Sequence, residues 1–519
     1  MDSIITPYQN AFIKGRNITD NILLAYEIID VVRKKRGKRD SFGVLKIDMS
    51  KAYDRVNWNF LQAVLTVMNF DPKWIKWIMG CVSTVEYTLL INGSVTRSFK
   101  PSQGLRQGDP LSPYLFLMCA NILSISLIQA EDLKKIKGIK VGRNDLSFSH
   151  LLFADDSLLF FKKDKNSVQN LQLILEWYCS ISGQSINLAK SDVLCSPNMP
   201  MEEKVGLANN LKVNLVQQPS KYLGVHFKLR CNRVADFNFL IDKLQTKLQG
   251  WKMNLLSQAS RTTLIASILQ SLPLYSFSCL KIPNSVYSKM DSIIRAFWWG
   301  HEHGEKKLHL INWDKICQPK KMDGLGIKKF KHMNQAMLNK QYWRICQNPQ
   351  SLLAKTIKAR YFPTCNIQEY RAKSHHSWVW RSIIRQEHPY WRKGKWRVGN
   401  GYNIPLNHKD WFSHSNLNLS QFHLPTDIVV DLIDQNSREW KADLVRSLYP
   451  FPHASPILQI PISKTNSVQD KLVWKHSMNG EYQVHKAYEL LIGEDACHSR
   501  HLQAHSGWWR SFWKIKVPL

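Results

Sequence analysis

The sequence predicts an α+β fold, with an antiparallel sheet in the first half of the chain and mainly helical segments in the second. Residues 150–164 contain two strand-length apolar runs separated by Asp155 and Asp156, which is typical of a β-hairpin. Residues 43–47 (GVLKI) indicate a further buried strand, which ends at Asp48. From about residue 229 the apolar residues take helical spacing, so we expect helices to dominate the remainder.

Three further elements are predicted in the first half. Residues 17–32 carry apolar side chains at helical spacing, which predicts a helix before the first strand. Asn92 and Gly93 stand between two β-rich runs, and this pair is a strong signal of a two-residue hairpin turn. Residues 103–113 are expected to form a loop that leads into a buried apolar helix over residues 115–128.

The remaining elements, from residue 167 onward, are predicted from helical patterns. Residues 167–182 form an amphipathic pattern that stops at Gly183, a residue favoured just after a helix. Two more helices are expected over residues 235–256 and 259–272. In residues 284–400 many tryptophans alternate with Lys and Arg. This composition suits base stacking and phosphate contact, but we expect most of these tryptophans to lie in a helical core.

Composition limits the class of protein. The chain has 519 residues, 44% of them hydrophobic, which predicts a folded protein of two or three domains. The formal net charge is +31, which favours a polyanionic partner, nucleic acid before an anionic membrane. Residues 115–128 are expected to be too short and too polar to span a bilayer. The start of the chain lacks secretory features and the ten cysteines lack regular spacing, so we expect an intracellular protein, nuclear or cytoplasmic, with reduced thiols.

The acidic hairpin carries the chemistry. Two adjacent carboxylates beside buried strands are costly unless a cation neutralises them, and hard oxygen ligands suit Mg²⁺. A solvated turn explains this stretch equally well when it is considered alone. If the strand that ends at Asp48 lies beside the hairpin, however, Asp48 converges with Asp155 and Asp156. Three carboxylates from two elements would form a two-metal site for phosphoryl transfer.

These residues resemble a known family. The segment from Asp48 to Tyr53 and the run FADD at residues 153–156 look like motifs A and C of reverse transcriptases. Residues 106–113 (RQGDPLSP) resemble that family's nucleotide-supporting motif in the form typical of non-LTR (LINE-type) retrotransposons, as does QNAFIKGR at residues 9–16. The motifs occur in the family's order. The chain is similar to the polymerase of plant LINE-type elements, closely up to about Phe227 and more loosely beyond.

The resemblance implies a right-hand polymerase fold, with partial fingers, a palm with an antiparallel sheet, and a helical thumb, followed by a mainly helical basic C-terminal region. The fingers and palm would occupy residues 1–228 and the thumb residues 229–283. A basic Trp-rich helical region (284–400) and a C-terminal region (401–519) leading into a zinc-binding segment would follow. Because no endonuclease and no terminal zinc-binding segment are recognised, we expect a truncated element protein. Zinc is not predicted at Cys497, His498, His501 and His505, which lack paired Cys-x-x-Cys spacing.

The resemblance also implies roles for individual residues. Asp48 and Asp155 would bind two Mg²⁺ ions, for which Mn²⁺ can substitute, and Asp156 would be an auxiliary catalytic acid. Tyr53 would select deoxynucleotides by excluding a 2′-hydroxyl, the sugar difference between RNA and DNA. The residues matched to nucleotide binding are Arg16, Tyr53, Gln107, Gly108 and Lys190. The residues matched to the primer grip are Tyr222, Leu223 and Gly224.

Purely structural roles are the alternatives at several of these positions. A surface role for Arg16, a core role for Tyr53 and a solvated strand-edge role for Lys190 fit the sequence as well. At the level of the whole chain, the predicted function is an RNA-directed DNA polymerase that takes an RNA template, a DNA primer and dNTPs. The alternative is a catalytically inactive nucleic-acid-binding remnant of a retroelement. An intron-encoded maturase is disfavoured by the RQGDP form of the nucleotide-supporting motif.

Overall fold

A computed structural model describes the protein as two structural units. The first unit comprises residues 1–231, 350–366 and 375–379, and the second comprises residues 232–349, 367–374 and 380–519. The residues that the structure describes are 1, 3–35, 40–142, 146–217, 221–225, 234–251, 256–300, 308–365, 367, 370–384, 394–406, 428–449, 454–464 and 468–497. The possible zinc ligands His498, His501 and His505 lie outside the described residues, as does the side chain of Cys497.

Strands occur mainly in the first unit. They are β1 (Phe42–Ile47), β2 (Leu90–Ile91), β3 (Ser94–Val95), β4 (Ile139–Lys140), β5 (Ser147–Phe148), β6 (His150–Phe153), β7 (Asp156–Lys162), β8 (Asp192–Cys195) and β9 (Asn214–Val216). The second unit contributes β10 (Gly394–Arg397) and β11 (Lys471–Trp474), which pair antiparallel.

Helices occur throughout the described residues. They are α1 (Ile18–Lys34), α2 (Trp58–Val67), α3 (Pro72–Ser83), α4 (Ser112–Asp132), α5 (Lys165–Ser182), α6 (Met201–Leu211), α7 (Asn238–Gln249), α8 (Gln258–Leu264), α9 (Leu274–Phe277), α10 (Asn284–Trp299), α11 (Trp313–Ile316), α12 (Phe330–Gln347), α13 (Leu352–Tyr361), α14 (Trp378–Ile384), α15 (Ala442–Leu448), α16 (Ala454–Leu458) and α17 (Val484–Cys497).

The main sheet of the first unit has five strands in the order β6-β7-β1-β8-β9. The pairs from β6 to β8 are antiparallel, as predicted, and β9 joins the edge of β8 in parallel. Side chains alternate along β1, because successive residues of a strand point to opposite faces. Leu45 and Ile47 pack into a large core with α2, α4 and α5, and Val44 lies near Ile29 of α1. The sheet is therefore covered by helices on both faces.

Most predicted elements of the first unit are confirmed. The predicted helix over 17–32 is α1, and the predicted helix over 167–182 is α5. Asp164 caps α5, and Gly183 ends it with a left-handed φ of 77°. Asn92 and Gly93 form the β2–β3 turn with φ values of 49° and 84°, the pair of positive values that a type I′ turn requires.

The apolar helix α4 is longer than the sequence pattern suggested. It has 21 residues, and within the described part of the chain it is the one helix long and apolar enough to cross a membrane. The expectation that this segment is too short and too polar was therefore wrong as an argument from length and composition. The expectation of a core helix is confirmed, since 61% of the most apolar 18-residue stretch of α4 is buried. Leu117, Leu123 and Leu127 are in the core.

In the second unit, the two helices expected over residues 235–272 are shorter than predicted. The first, α7, ends at Gln249, and α8 passes at Ile265 into a π-helical turn, Ile265–Leu269. The expected core role of the tryptophans is confirmed for Trp298, Trp343 and Trp380, which are all buried. Their burial removes these three rings from direct stacking on a base.

Candidate active site

Strand register brings the three predicted carboxylates to one end of the sheet. Strand β1 pairs with β7 so that Ile47 lies opposite Ser157, and extending this register by one residue places Asp48 opposite Asp156. Phe153 pairs with Asp156, so the turn of the β6–β7 hairpin consists of Ala154 and Asp155. Asp156 is therefore the first residue of β7 rather than a turn residue as predicted, and Asp155 stands at the tip.

The hairpin tip is held by the start of the chain. Ala154 adopts a positive φ of 53°, and its N–H donates to Gln9 Oε1 at 3.1 Å. Gln9 is buried and the same oxygen accepts from Ala11 N–H at 2.9 Å. Beside it, Leu152 N–H donates to the carbonyl of Tyr8 at 2.9 Å. The uncommon backbone conformation of Ala154 is thus stabilised by the buried side-chain amide of Gln9. In the sequence, Gln9 was noted only as the first residue of a motif.

Asp48 is fixed through its backbone. Its N–H donates to Ser191 Oγ at 3.2 Å, and its carbonyl accepts from Asn187 N–H at 2.8 Å. Both partners flank the 3₁₀ turn Leu188–Lys190. The carboxylate of Asp48 has no hydrogen bond or ion pair to any residue that the structure describes, so it is available to an external cation.

The carboxylates of Asp48, Asp155 and Asp156 lie close enough to one another for their negative charges to interact. The pKa of Asp156 is raised, first by burial and then by the charge of Asp155, and Asp48 adds to this effect while Lys46 opposes it. The donor set is carboxylate oxygen, which suits Mg²⁺ or Mn²⁺. Within the described ranges, however, no three Asp, Glu, His or Cys side chains are already close enough to hold a metal ion. The carboxylate chemistry therefore suits a divalent ion, but the described side chains do not by themselves form a three-ligand group.

Tyr53 lies beside this cluster. Its ring stacks on Phe116 of α4, with centroids 4.8 Å apart and planes at 15°. Burial raises its pKa and the charge of Asp155 raises it further, so the phenol stays protonated at neutral pH. The side chain is half-buried. Tyr53 thus lies near the acidic tip and also makes the core contact that was the alternative to its predicted role in nucleotide selection.

The nucleotide-supporting loop is anchored to the segment that follows Asp48. Leu105 N–H donates to the carbonyl of Tyr53 at 2.8 Å, and Trp58 Nε1 donates to the carbonyl of Gly104 at 2.8 Å. A Cβ at Gly104 would lie 2.6 Å from the backbone oxygen of Asp54, so glycine is required there. These contacts fix the start of the loop relative to Asp48.

Gln107 and Gly108 lie further along this loop. The exposed Gln107 donates from Nε2 to Asp54 Oδ1 at 3.4 Å. Gly108 has a φ of 89° with open space where a side chain would stand. Open space beside a glycine backbone is the condition for close approach of a ligand.

Comparison with known proteins identifies the first unit. Residues 1–227 match the family model described as reverse transcriptase (RNA-dependent DNA polymerase). These residues belong to the reverse transcriptase family. The predicted α+β fold and the predicted family resemblance are therefore confirmed, and the matched range includes every candidate site residue named above.

Relatives of this chain include plant and retrotransposon proteins. A putative ribonuclease H protein of Arabidopsis thaliana is 29% identical over 54% of this chain and 46% of its own length. A retrovirus-related Pol polyprotein from the type-2 retrotransposable element R2DM of Drosophila melanogaster is 26% identical over 56% of this chain and 27% of its own length. The chain thus spans less than half of either relative. A telomerase of Candida albicans, solved with a telomeric RNA fragment, aligns with 56% of this chain and 44% of its own at a TM-score of 0.30 and 12% identity.

Two basic residues matched to nucleotide binding in the reverse transcriptase family lie in different settings. Arg16 donates to the carbonyls of Thr6 at 2.6 Å, Gln9 at 2.7 Å and Ile5 at 3.2 Å, so it ties together the segment that supports the hairpin tip. Lys190 is exposed at the end of its 3₁₀ turn. Lys190 thus belongs to the turn whose flanking residues bind the Asp48 backbone, whereas Arg16 is engaged with backbone carbonyls.

The segment matched to the primer grip of reverse transcriptases is a tight turn. Tyr222 and Val225 exchange two backbone hydrogen bonds of 3.0 Å. Leu223 and Gly224 have φ values of 47° and 75°, which is type I′ geometry. Tyr222 is buried, and its hydroxyl accepts from Asn21 Nδ2 at 3.4 Å, while Gly224 is exposed. The structure thus presents the Gly224 backbone at the tip of this turn.

We expect the variant Asp156→Asn to melt at a higher temperature than the wild type at neutral pH in the absence of divalent metal. A carboxyl whose pKa is raised by folding stabilises the fold below its ordinary pKa and loses that contribution as pH rises through the folded pKa. The advantage of Asn should therefore grow with pH over that window. Mg²⁺ should then raise the melting temperature of the wild type more than that of the variant. Thermal unfolding with and without Mg²⁺ measures both effects.

The control for this measurement is Asp54→Asn, which neutralises an exposed carboxylate on the neighbouring segment. Its response to Mg²⁺ should equal that of the wild type. An Asp156→Asn variant that is less stable than the wild type across the whole pH range would contradict the electrostatic description of the cluster.

Proposed function

We propose that the chain is an RNA-directed DNA polymerase of a LINE-type retrotransposon, which extends a DNA primer with dNTPs on an RNA template. The observation that carries the proposal is the strand register, which places Asp48, Asp155 and Asp156 at the same end of the sheet, within a region of the reverse transcriptase family. The LINE-type assignment rests on the RQGDPLSP form of the nucleotide-supporting loop, and it is supported by relatives named as proteins of retrotransposable elements.

The residues take distinct roles in this proposal. Asp48 and Asp155 would hold two Mg²⁺ or Mn²⁺ ions, which would lower the pKa of the primer 3′-hydroxyl and neutralise charge on the leaving pyrophosphate. Asp156, whose pKa is raised, would tune the charge of the site. Gly108 would let a nucleotide approach the backbone, and Tyr53 would contact its sugar.

The charge of the chain supports the same substrate class. With a net charge of +31, the protein has an excess of Lys and Arg for neutralising phosphates of a template and primer. Such contacts position a duplex without reading its sequence. Binding to an RNA–DNA hybrid should therefore weaken steeply as salt concentration increases.

The deciding experiment is primer extension by the purified full chain on an RNA template with a DNA primer, dNTPs and Mg²⁺. Templated incorporation of dNTPs, lost when EDTA removes the metal, is the expected result. A DNA template of the same sequence shows whether RNA is required. Absence of extension with either Mg²⁺ or Mn²⁺ from protein that binds the hybrid would overturn the proposal.

A catalytically inactive nucleic-acid-binding protein is the second candidate. The observation that favours it is the net charge of +31, which nucleic-acid binding without catalysis explains equally well. This candidate predicts salt-dependent binding to hybrid without extension at any Mg²⁺ concentration. The polymerase proposal predicts that binding of template, primer and nucleotide completes the site.

A further inference from the structure

A buried carboxylate on α1 is bound by residues that lie more than three hundred positions further along the chain. The Glu27 side chain has no solvent exposure. Its Oε2 forms an ion pair with Arg360 Nη1 and accepts from the hydroxyl of Tyr361 at 2.5 Å, while its Oε1 accepts from Ser377 Oγ at 2.5 Å. Arg360 Nη1 also donates to the backbone carbonyl of Glu27 at 2.6 Å. Every oxygen of this buried acid is satisfied by α13 and the residues after it.

Further contacts join the same segments. The other guanidinium nitrogen of Arg360 pairs with Asp30, which also pairs with Lys34 at 2.7 Å. Lys34 Nζ in turn donates to the carbonyl of His375 at 2.9 Å. The arginine fork therefore spans two carboxylates one turn apart on α1, a geometry that lysine cannot reproduce.

Helix α13 also contacts the loop that follows β4 in the first unit. Gly142, just after β4, has a φ of 82°, and a Cβ at this position would lie 2.5 Å from the carbonyl oxygen of Ala359. The backbone of α13 thus approaches this loop as closely as glycine permits. Contact with both α1 and Gly142 makes residues 350–366 and 375–379, which we call the α13 segment, part of the first unit.

The charge of buried Glu27 is compensated by Arg360. Burial raises the pKa of Glu27, and the charge of Arg360 opposes that increase. The groups that face Glu27 are Arg360 and Tyr361 of α13, Ser377, and Asp30 on its own helix, with His376 against the ring of Tyr361. Removal of one partner from a buried pair leaves an uncompensated charge, which is far more costly than loss of a surface pair.

Helix α1 connects this network to the acidic hairpin. Asn21, also on α1, is buried and donates from Nδ2 to the carbonyl of Leu152 at 2.7 Å. Its Oδ1 accepts from Asn10 Nδ2, beside the Gln9 amide that supports Ala154. A shift of α1 would therefore act directly on β6 and on the turn that carries Asp155.

We propose that the α13 segment is a positioning element of the polymerase site, with Arg360 as its central positioning residue. It holds α1 in place, and α1 holds the hairpin of Asp155 and Asp156. The α13 segment lies outside the range matched by the reverse transcriptase family, so this part of the site is supplied by the C-terminal half of the chain. The effect on catalysis rests on the proposed function, whereas the effect on the hairpin does not.

The test is amide hydrogen exchange of the full chain, wild type against Arg360→Gln. We expect exchange to become on the order of 100-fold faster in α1 and at the amides of Leu152 and Ala154, because the buried carboxylate loses its countercharge. Amides of α12 in the second unit should keep their wild-type rates. The matched control is Lys355→Gln, which removes an exposed charge from the same helix and should change none of these rates.

Two further variants separate positioning from folding. Arg360→Lys keeps the charge without the fork, so it should fold and show a smaller change at the same amides. Glu27→Gln combined with Arg360→Met removes both charges, leaves the amide oxygen to accept from one of the Tyr361 and Ser377 hydroxyls and the amide nitrogen to donate to the other, and should restore hairpin protection. Protection lost equally in both units, or an unchanged hairpin in Arg360→Gln and Arg360→Lys, would overturn the proposal.

In primer extension, Arg360→Gln should lower kcat by about 10- to 100-fold with little change in KM for dNTPs, as expected for misplaced catalytic groups. The rescued double variant should regain most of the loss. If the wild type shows no extension, the proposed function fails, while the exchange measurement still decides the positioning role. Loss of hairpin protection with unchanged kcat would restrict the α13 segment to stability and overturn its role in the site.

Discussion

Primer extension by the variant Asp155→Asn is expected to fall by on the order of 10³-fold, since stabilisation by a bound metal ion is worth several kcal/mol. Asn has nearly the shape of Asp, and the residue stands exposed at the hairpin tip, so the fold should be unaffected. The substitution removes a negative charge from the cluster of Asp48, Asp155 and Asp156. Steady-state incorporation on an RNA template, with wild type and variant at equal concentration, measures the loss.

The control for this experiment is again Asp54→Asn, whose carboxylate lies on the next segment but contacts Gln107 rather than the acidic tip. Its extension rate should stay within a few-fold of the wild type. Binding of both variants to hybrid should match that of the wild type, which separates catalysis from substrate affinity. Equal incorporation by wild type and Asp155→Asn would refute the assignment of Asp155 as a metal ligand.

The second large effect is expected at Tyr53. In Tyr53→Ala, the preference for dNTPs over rNTPs should fall by roughly 10- to 200-fold, the range over which steric fit in a pocket discriminates related substrates. The ring is held by stacking on Phe116 at 4.8 Å, so it is a rigid surface rather than a mobile side chain. The ratio of kcat/KM for matched dNTP and rNTP pairs is the measurement.

Tyr53→Phe serves as the matched control because it retains the ring and its stack on Phe116. This variant should keep the selectivity of the wild type, since the proposed exclusion depends on the ring and not on the hydroxyl. Lost stacking in Tyr53→Ala will also reduce stability, so the comparison uses ratios of two nucleotides on one enzyme. An unchanged ratio in Tyr53→Ala would assign this residue to the core alone.

The placement of the acidic residues was predictable because each signal is local. An apolar run followed by Asp48, and two apolar runs around Asp155, define strand ends within a few residues. Pairing the two elements required only that neighbouring buried strands share a sheet. The turn was predicted one residue too long, as Ala154 to Asp156, since the exact pairing of Phe153 with Asp156 depends on hydrogen bonds between strands.

The contacts of Arg16 could not be predicted from the sequence. The motif suggested contact with a nucleotide, but its guanidinium is surrounded by the carbonyls of Ile5, Thr6 and Gln9. Those carbonyls are free in a linear sequence and converge only when the N-terminal segment folds around the hairpin. The same folding gives Gln9 its role at Ala154, which no spacing rule would indicate.

By itself the sequence determined the fold class, the strands and helices around the acidic residues, and the resemblance of residues 1–227 to the reverse transcriptase family, because periodicity, turn residues and motifs are encoded by near neighbours. Tertiary structure alone decided that Glu27 is paired with Arg360 and that the α13 segment joins the first unit. A buried ion pair forms only after hydrophobic packing has excluded water from both partners, and that packing joins residues with no relation along the chain.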